Sequence, residues 1–316
     1  MSPGSRNSAL GYIRRVANRK SALQLRARMI QAIRRYFIKQ GYLEVETPAL
    51  IPAPAPELNI DAVEAGEGYL QTSPEICMKR LLSAGYDQIF QICRCFRQAE
   101  RGHQHLPELT LLEWYHAQME YRGLMDECES MIRYVARVLG FHDTLEYGGK
   151  TIDLSEPWQR LSVSEAFEIY APLGLRESMD KGCFDALMVE AIEPHLGSPA
   201  PTFLYDYPAS LGALARLKPG DKRFAERFEL YIGGVELANA FSELRDAGEQ
   251  RQRFEEEIER RKALGKGVYP MPELFLEALE YMPDAAGIAL GIDRLAMIFG
   301  DKASVDDVVA FTPEEL

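Results

Sequence analysis

Three stretches of the chain gather charged side chains at spacings that a β-sheet would bring together. The first is Arg227-Phe-Glu-Leu-Tyr-Ile-Gly-Gly-Val-Glu-Leu-Ala-Asn-Ala-Phe-Ser-Glu243. Read as a hairpin turning at Gly233-Gly234, it sets Tyr231 opposite Glu236 and Glu229 opposite Ala238. Glu229 and Glu236 are then diagonal neighbours on one face, roughly 7–8 Å apart at the backbone. Two carboxylates so placed suit a hard cation such as magnesium, which clamps phosphates; two unrelated acids on a solvated face is the plainer alternative. Strict alternation sends Asn239, Phe241 and Glu243 to the opposite face, so one site using all five residues needs a bulge near Ala238.

The second stretch is Cys95-Phe-Arg97…Glu100…Pro107-Glu-Leu-Thr-Leu-Leu-Glu113-Trp-Tyr115. An arginine closing a strand beside a polar loop suits a phosphate, because its planar fork donates two bonds at once. An ion pair with a neighbouring acid would explain it equally well. Glu113 and Tyr115 are two apart and share a strand face; together they suit an amine, and Tyr115 alone suits an ordinary sheet aromatic. The third stretch, Gly287-Ile-Ala-Leu-Gly291-Ile-Asp293-Arg294, reads as a small-residue strand that lets a flat ligand approach the backbone, with Arg294 in the first turn of a helix. Tight packing at the glycines and an Asp293–Arg294 pair are the plain alternative.

The elements that must position these residues are legible in outline. Leu25, Met29, Ile33 and Phe37 mark a helix over 22–40, with Ser21 as its cap and Gly41 as its stop. A short strand follows over 42–46, then a loop spaced by Pro48, Pro52, Pro54 and Pro56 that excludes a central strand. Ser73-Pro74-Glu75 opens a helix. Strands are expected over 88–97 and 109–115, helices over 119–139 and 246–264, the latter capped by Asp246 with Glu249 three residues on. A last strand near 287–290 runs into a helix from Ile292. Residues 141–200 show no readable motif and are expected to be an inserted region. Antiparallel pairs with intervening helices predict an α+β fold, one domain over 1–316 with a basic extension at 1–21.

The formal charge of -12 hides an asymmetry. The first 40 residues hold ten Lys or Arg and no acid, leaving 26 bases against 48 acids in the other 276. Five cysteines without a C-x-x-C pair fit a reducing, cytoplasmic setting. Five histidines with only His103-x-His105 close together argue against zinc. No apolar run approaches the roughly 18–20 residues of a membrane span. The Arg-rich start, with Ser2, Ser5, Ser8 and Ser21, has the composition of a transit peptide, but it runs unbroken into a helix that reads as integral.

Taken together, the stretches carry a family resemblance. Gly41-Tyr-Leu-Glu-Val-Glu-Thr-Pro48 resembles motif one of the class II aminoacyl-tRNA synthetases, Phe96-Arg97…Glu100 motif two, and Gly291-Ile-Asp-Arg294 motif three, in the family's order and with its large gaps. Thr72-Ser-Pro-Glu75-Ile-Cys-Met-Lys-Arg-Leu, Pro107-Glu-Leu-Thr-Leu-Leu-Glu113-Trp-Tyr and Glu236-Leu-Ala-Asn239-Ala-Phe-Ser-Glu243-Leu are similar to the lysyl branch. The likeness runs from about residue 20 to 312 and is weakest over 141–200. Only 40 residues precede Gly41, whereas an anticodon-binding barrel needs on the order of 100. The resemblance is therefore to the free-standing lysyl-synthetase paralogues that attach β-lysine to elongation factor P.

That resemblance implies the class II core, an antiparallel β-sheet flanked by helices, and a set of roles. Lysine or (R)-β-lysine is activated with ATP and Mg2+, then passed to a lysine side chain of elongation factor P. Arg97 and Arg294 hold phosphates and carry catalysis. Gln98, Glu100, Glu236, Leu237 and Gly291 join them around ATP, and Glu229 and Glu236 hold the metal. Ser73, Glu75, Glu113, Tyr115, Asn239, Phe241 and Glu243 bind the donor, Glu75 at its backbone-type amine, Tyr115 and Glu243 at its ε-ammonium. Three positions depart from the family pattern: Ala99 where many members have Glu, Leu106 for an Asn, and Ala289 for a Gly. Motif one implies a homodimer. A membrane is not expected as a partner, nor is tRNA, and the basic first 40 residues are expected to face an acidic macromolecule. The rivals are a truncated synthetase that charges tRNA or a small amine, and a non-catalytic accessory subunit.

Overall fold

The computed structural model describes residues 3–155 and 157–316, the first eight of them as backbone. Ser2 and the side chains of Ser5, Arg6 and Ser8 lie outside the described residues. An eight-stranded sheet runs in the order Leu43–Glu44, Gln88–Phe96, Glu108–Ala117, Ala285–Gly291, Val235–Ser242, Phe224–Ile232, Thr202–Pro208, Gln159–Ser162. Its two outer pairings are parallel and the five inner ones antiparallel, the α+β core that the strand pattern predicts.

Alternation along the strands splits the sheet into a packed face and a chemical face. Phe90, Leu112, Trp114, Phe228, Leu230, Ala240, Ile288 and Leu290 are buried in the main core with residues from the helices Lys20–Lys39, Tyr121–Leu139 and Ile292–Phe299. The residues between them, Glu113, Tyr115, Glu229, Asn239, Gly287 and Ala289, face the other side. There the helices Glu75–Ser83, Ala247–Ala263 and Glu273–Leu279 close a second core around Ile89, Tyr115 and Phe241.

Several local expectations are revised. Ser21 does not cap a helix. The chain is already helical over Pro3–Asn18 and restarts at Lys20, so Ser21 falls in the first turn of Lys20–Lys39. Gly41, at φ +87°, ends that helix as expected. Asp246 does cap its helix, its side chain accepting from the Glu249 N–H at 2.9 Å. Residues 141–200 supply a hairpin (Thr144–Tyr147 with Lys150–Asp153) and the sheet's edge strand Gln159–Ser162. They also supply short helices packed around Phe167, Phe184 and Leu204.

Part of the N-terminal positive charge is spent inside the fold. Arg19 pairs with Glu315 at 2.5 Å and Arg34 with Glu44 at 2.8 Å. Arg26 reaches Asp293 at 2.5 Å and Thr110 Oγ1 at 2.9 Å. Arg14, Arg15, Lys20, Arg28, Arg35 and Lys39 remain exposed. The five cysteines are free thiols. No helix among the described residues is long and apolar enough to cross a membrane.

Candidate functional site

A cavity of about 880 Å³ opens on the chemical face of the sheet. Its wall brings together Ser73, Glu75, Arg97, Glu100, Glu113, Tyr115, Glu229, Glu236, Leu237, Asn239, Phe241, Gly291 and Arg294, which lie up to 221 positions apart in the chain. Two expected members do not reach the wall. Gln98 is exposed on the loop that joins the strands Gln88–Phe96 and Glu108–Ala117. Glu243 is 1% exposed and sits one layer beneath the wall, beside Tyr115 and Gly287.

A bulge is what unites the second hairpin, as strict alternation requires. Tyr231 stands opposite Glu236 but Leu230 stands opposite Ala238, so the extra residue is Leu237. The register beyond it shifts by one, and Glu229 faces Asn239 rather than Ala238 as expected from a regular hairpin. Leu237 turns into the core at 2% exposure, while Glu236, Asn239 and Phe241 share the chemical face with Glu229. The turn is built by Gly233 and Gly234 at φ +62° and +80°, a pair of left-handed residues that suits a two-residue hairpin.

The inner end of the cavity is acidic and dry. Ser73 Oγ donates to Glu113 Oε1 at 2.6 Å and accepts from the Glu75 N–H at 3.0 Å. Tyr115 OH donates to Glu113 Oε2 at 3.1 Å. Burial, and then the nearby Glu75, push the Glu113 carboxyl up to about 8. Burial likewise raises Glu243 to about 8, with Lys79 pulling the other way. Glu243 Oε1 has no hydrogen-bond partner among the described residues. Ala289 lies on the central strand between Glu113 and Asn239, so its methyl narrows the wall where a glycine would leave room.

The outer end carries two arginines, one of them under-satisfied. Arg97 Nε is buried and without a hydrogen-bond partner among the described residues, and Nη1 makes only a loose 3.7 Å contact with Glu100. An unsatisfied guanidinium at a cavity wall fits an anion that supplies the missing acceptors. Asp293 and Arg294 do not pair with one another. Asp293 is tied to Arg26 and to the Thr110 N–H at 2.7 Å. Arg294 donates to the Glu236 carbonyl at 2.7 Å and to the Gln104 carbonyl at 3.2 Å, with Nη2 2.7 Å from His105 Nε2. Burial, and then Arg294, lower the His105 imidazole, which keeps it neutral and able to accept.

Glu229 is well satisfied: Oε1 accepts from Arg227 at 2.7 Å, and Oε2 from the hydroxyls of Tyr207 at 2.5 Å and Tyr231 at 2.8 Å. Glu236 meets only Arg294 at 3.5 Å. Burial and the charge of Glu229 raise Glu236 to about 6, the strain that a cation between two acids relieves. Among the described residues no three His, Cys, Asp or Glu side chains converge as a metal cage. A pair of hard carboxylates fits Mg2+ that keeps its waters and takes further ligands from substrate phosphates, with Glu236 offering the freer oxygens.

Two contributors escape the sequence reading. Lys79 is 1% exposed and lies 2.5 Å from both Glu75 and Glu243; its place four residues after Glu75 on a helix is the signal that could have found it. Arg227 ties the second hairpin together, donating to Asn239 at 3.0 Å and to Glu229. Gly287 lines the wall where a β-carbon would run into the Tyr115 ring and the Glu243 carboxylate. Gly287→Ala is therefore expected to cost about 1–3 kcal/mol of stability through overpacking. It should also weaken amino-acid binding more than ATP binding, read by thermal melts and by the two KM values; an unchanged protein would remove the close-packing argument.

Comparisons with known proteins agree with this geometry. The family model for tRNA synthetases class II (D, K and N) matches residues 6–315. An elongation factor P–(R)-β-lysine ligase of Pectobacterium carotovorum subsp. carotovorum (strain PC1) is 39% identical over 312 residues, covering 92% of this chain and 94% of that protein. Proteins of the same name from Salmonella dublin and Salmonella paratyphi B are 39% identical over 303 residues, covering 91% of this chain and 93% of theirs. With the sheet, the three motif regions and these matches spanning nearly all of its length, the chain belongs to the class II tRNA synthetase family of the D, K and N branch.

Proposed function

We propose that the protein is a ligase that activates (R)-β-lysine, or lysine, with ATP and transfers it to a lysine side chain of elongation factor P. The observation that carries this reading is the acidic, buried end of the cavity, where Glu75, Glu113, Tyr115 and Glu243 gather beside two arginines at its outer end. Relatives at 39% identity carry that activity in their names. The whole of 1–316 acts as one catalytic domain, and motif one makes a homodimer in the cytoplasm.

The chemistry asks little of a general base in its first step. The donor's carboxylate is already ionised; it attacks the α-phosphorus, forms the acyl–phosphate bond and expels pyrophosphate. Catalysis comes from alignment and from neutralising phosphate charge. Arg97 holds the α-phosphate and Arg294 the γ-phosphate, with Glu100, Leu237 and Gly291 around the nucleotide and Gln98 on the exposed loop beside it. Bound Mg2+ would neutralise phosphate charge, held by Glu236 and Glu229. Glu75 takes the donor's backbone-type amine, Tyr115 and Glu243 its ε-ammonium, with Ser73, Glu113, Asn239 and Phe241 shaping the pocket. In the second step the acceptor's ε-amine, having lost a proton, attacks the acyl carbon and AMP leaves.

Mass spectrometry of elongation factor P after incubation with enzyme, ATP and each lysine isomer tests the reading. A mass gain of one lysyl residue with one isomer is expected. An unshifted factor would sink it, and aminoacylated tRNA in its place would favour the truncated-synthetase alternative.

A pH dependence follows. With Glu113 and Glu243 raised to about 8, the empty pocket holds protons at pH 7. An arriving ammonium favours the ionised carboxylates and expels them, so donor affinity should rise from pH 6 to 8 and binding should release protons. Calorimetry in buffers of different ionisation heat reads this directly; proton uptake would contradict the assignment.

A further inference from the structure

Lys79 sits at the inner end of the cavity, and the activation chemistry leaves it without a task. Its ammonium is buried at 1% exposure on the helix Glu75–Ser83. It lies 2.5 Å from Glu75 Oε1 on its own helix and 2.5 Å from Glu243 Oε2 across the cleft. The ring of Phe241, a wall residue, stands 5.0 Å away. The other charged or titratable groups facing this point are Glu113 and Tyr115 of the strand Glu108–Ala117.

We propose that Lys79 is a resident counter-charge that matches the pocket to a donor carrying two ammonium groups. The proposal rests on the reading of this cavity as a diamino-acid site. Three carboxylates, Glu75, Glu113 and Glu243, converge there. Fully ionised they carry three negative charges, one more than a diamino acid's two ammonium groups can balance once its own carboxylate lies at Arg97. One fixed lysine removes the surplus. It bridges only one oxygen each of Glu75 and Glu243, and Glu243 Oε1 stays without a hydrogen-bond partner among the described residues, open to a second cation. Lys79 is thus a positioning residue that acts through Glu75 and Glu243 without touching the donor.

Removing an opposite charge raises a buried acid's proton affinity, so Glu243 holds its proton more tightly without Lys79 and the empty fold survives. The donor then meets a Glu243 that is harder to ionise. The test is donor-dependent ATP–pyrophosphate exchange between pH 6 and 9 for wild type, Lys79→Met and Lys79→Gln, with thermal melts beside it. Both variants should melt cooperatively and keep the ATP KM within about twofold of wild type. Their kcat/KM for the donor should fall about tenfold or more at pH 7, and the midpoint of the pH profile should move alkaline by about one unit. A loss that is flat in pH, an equal loss for ATP, or no loss would overturn the proposal. Failure of the glutamine variant to fold would overturn it too, since it retains donors for both carboxylates. If wild type shows no exchange with any diamino acid, the reading of the site falls first and takes the proposal with it; wild-type exchange with an unshifted variant profile rejects the proposal alone.

Discussion

Glu243→Ala will all but abolish donor activation and leave ATP binding in place. Glu243 is buried at 1% exposure, 2.5 Å from Lys79, with its second oxygen unpartnered. Truncating one partner of a buried charge pair costs about 2–5 kcal/mol, much of it the penalty of stranding the other charge. Here the stranded group is Lys79, left with Glu75 alone, and the pocket's net negative charge drops below what two ammonium groups need. The expected loss in kcat/KM for the donor is therefore on the order of 10²-fold or more. On the proposed assignment ATP binds at the outer end, on Arg97 and Arg294, so its affinity should change little. Glu243→Gln keeps the shape and removes only the charge, so it should share most of the loss. Donor-dependent pyrophosphate exchange and a separate ATP titration read the two effects apart. If amino-acid and ATP binding both survive the alanine, the donor pocket lies elsewhere in the cavity.

What made Glu243 readable in the sequence also marks where reading stopped. Alternation alone separates Leu112 and Trp114, which enter the core, from Glu113 and Tyr115, which face the cavity. The turn at Gly233-Gly234 announces itself through two residues that tolerate positive φ. The bulge at Leu237 does not, because no residue type there demands it; it was foreseen only as a condition for a single site. Close approach at Gly287 is legible, but not what approaches: the atoms a β-carbon would strike belong to Tyr115, on the neighbouring strand but distant in sequence, and to Glu243. Ser21 misleads for a different reason: a local cap signal is overridden when the preceding residues are themselves helical. Over 141–200 the strands are four residues long, and the one that joins the main sheet pairs with residues 202–205, too short and too distant a partnership for periodicity to show.

Arg97→Ala should strike the chemical step itself. The guanidinium closes the strand Gln88–Phe96 at the mouth of the polar loop, with the Arg97 N–H bonded to the Pro107 carbonyl at 2.9 Å. Its backbone is thus fixed while its Nε is left buried without an acceptor and Nη1 only loosely engaged by Glu100 at 3.7 Å. In a protein interior such a donor is costly to leave unmet. A phosphate oxygen would supply the acceptor, most strongly as negative charge grows during attack on the α-phosphorus. Losing a pre-placed donor of that kind costs about 2–4 kcal/mol, a fall of roughly 10²–10³ in kcat. Because the contact strengthens in the transition state, kcat should drop more than the ATP KM rises. Donor binding keeps its ammonium contacts at the opposite end of the cavity, so calorimetry should still detect it, weakened only by the lost Arg97 contact to the donor carboxylate. Arg97→Lys should restore little, since a point charge lacks the planar fork that engages two oxygens. The folded state should tolerate the alanine well, because the substitution removes a buried unsatisfied donor and its charge from the empty enzyme. A variant that melts no lower than wild type yet forms adenylate hundreds of times more slowly would assign Arg97 to phosphate; near-normal turnover would leave Arg97 to its contact with Glu100.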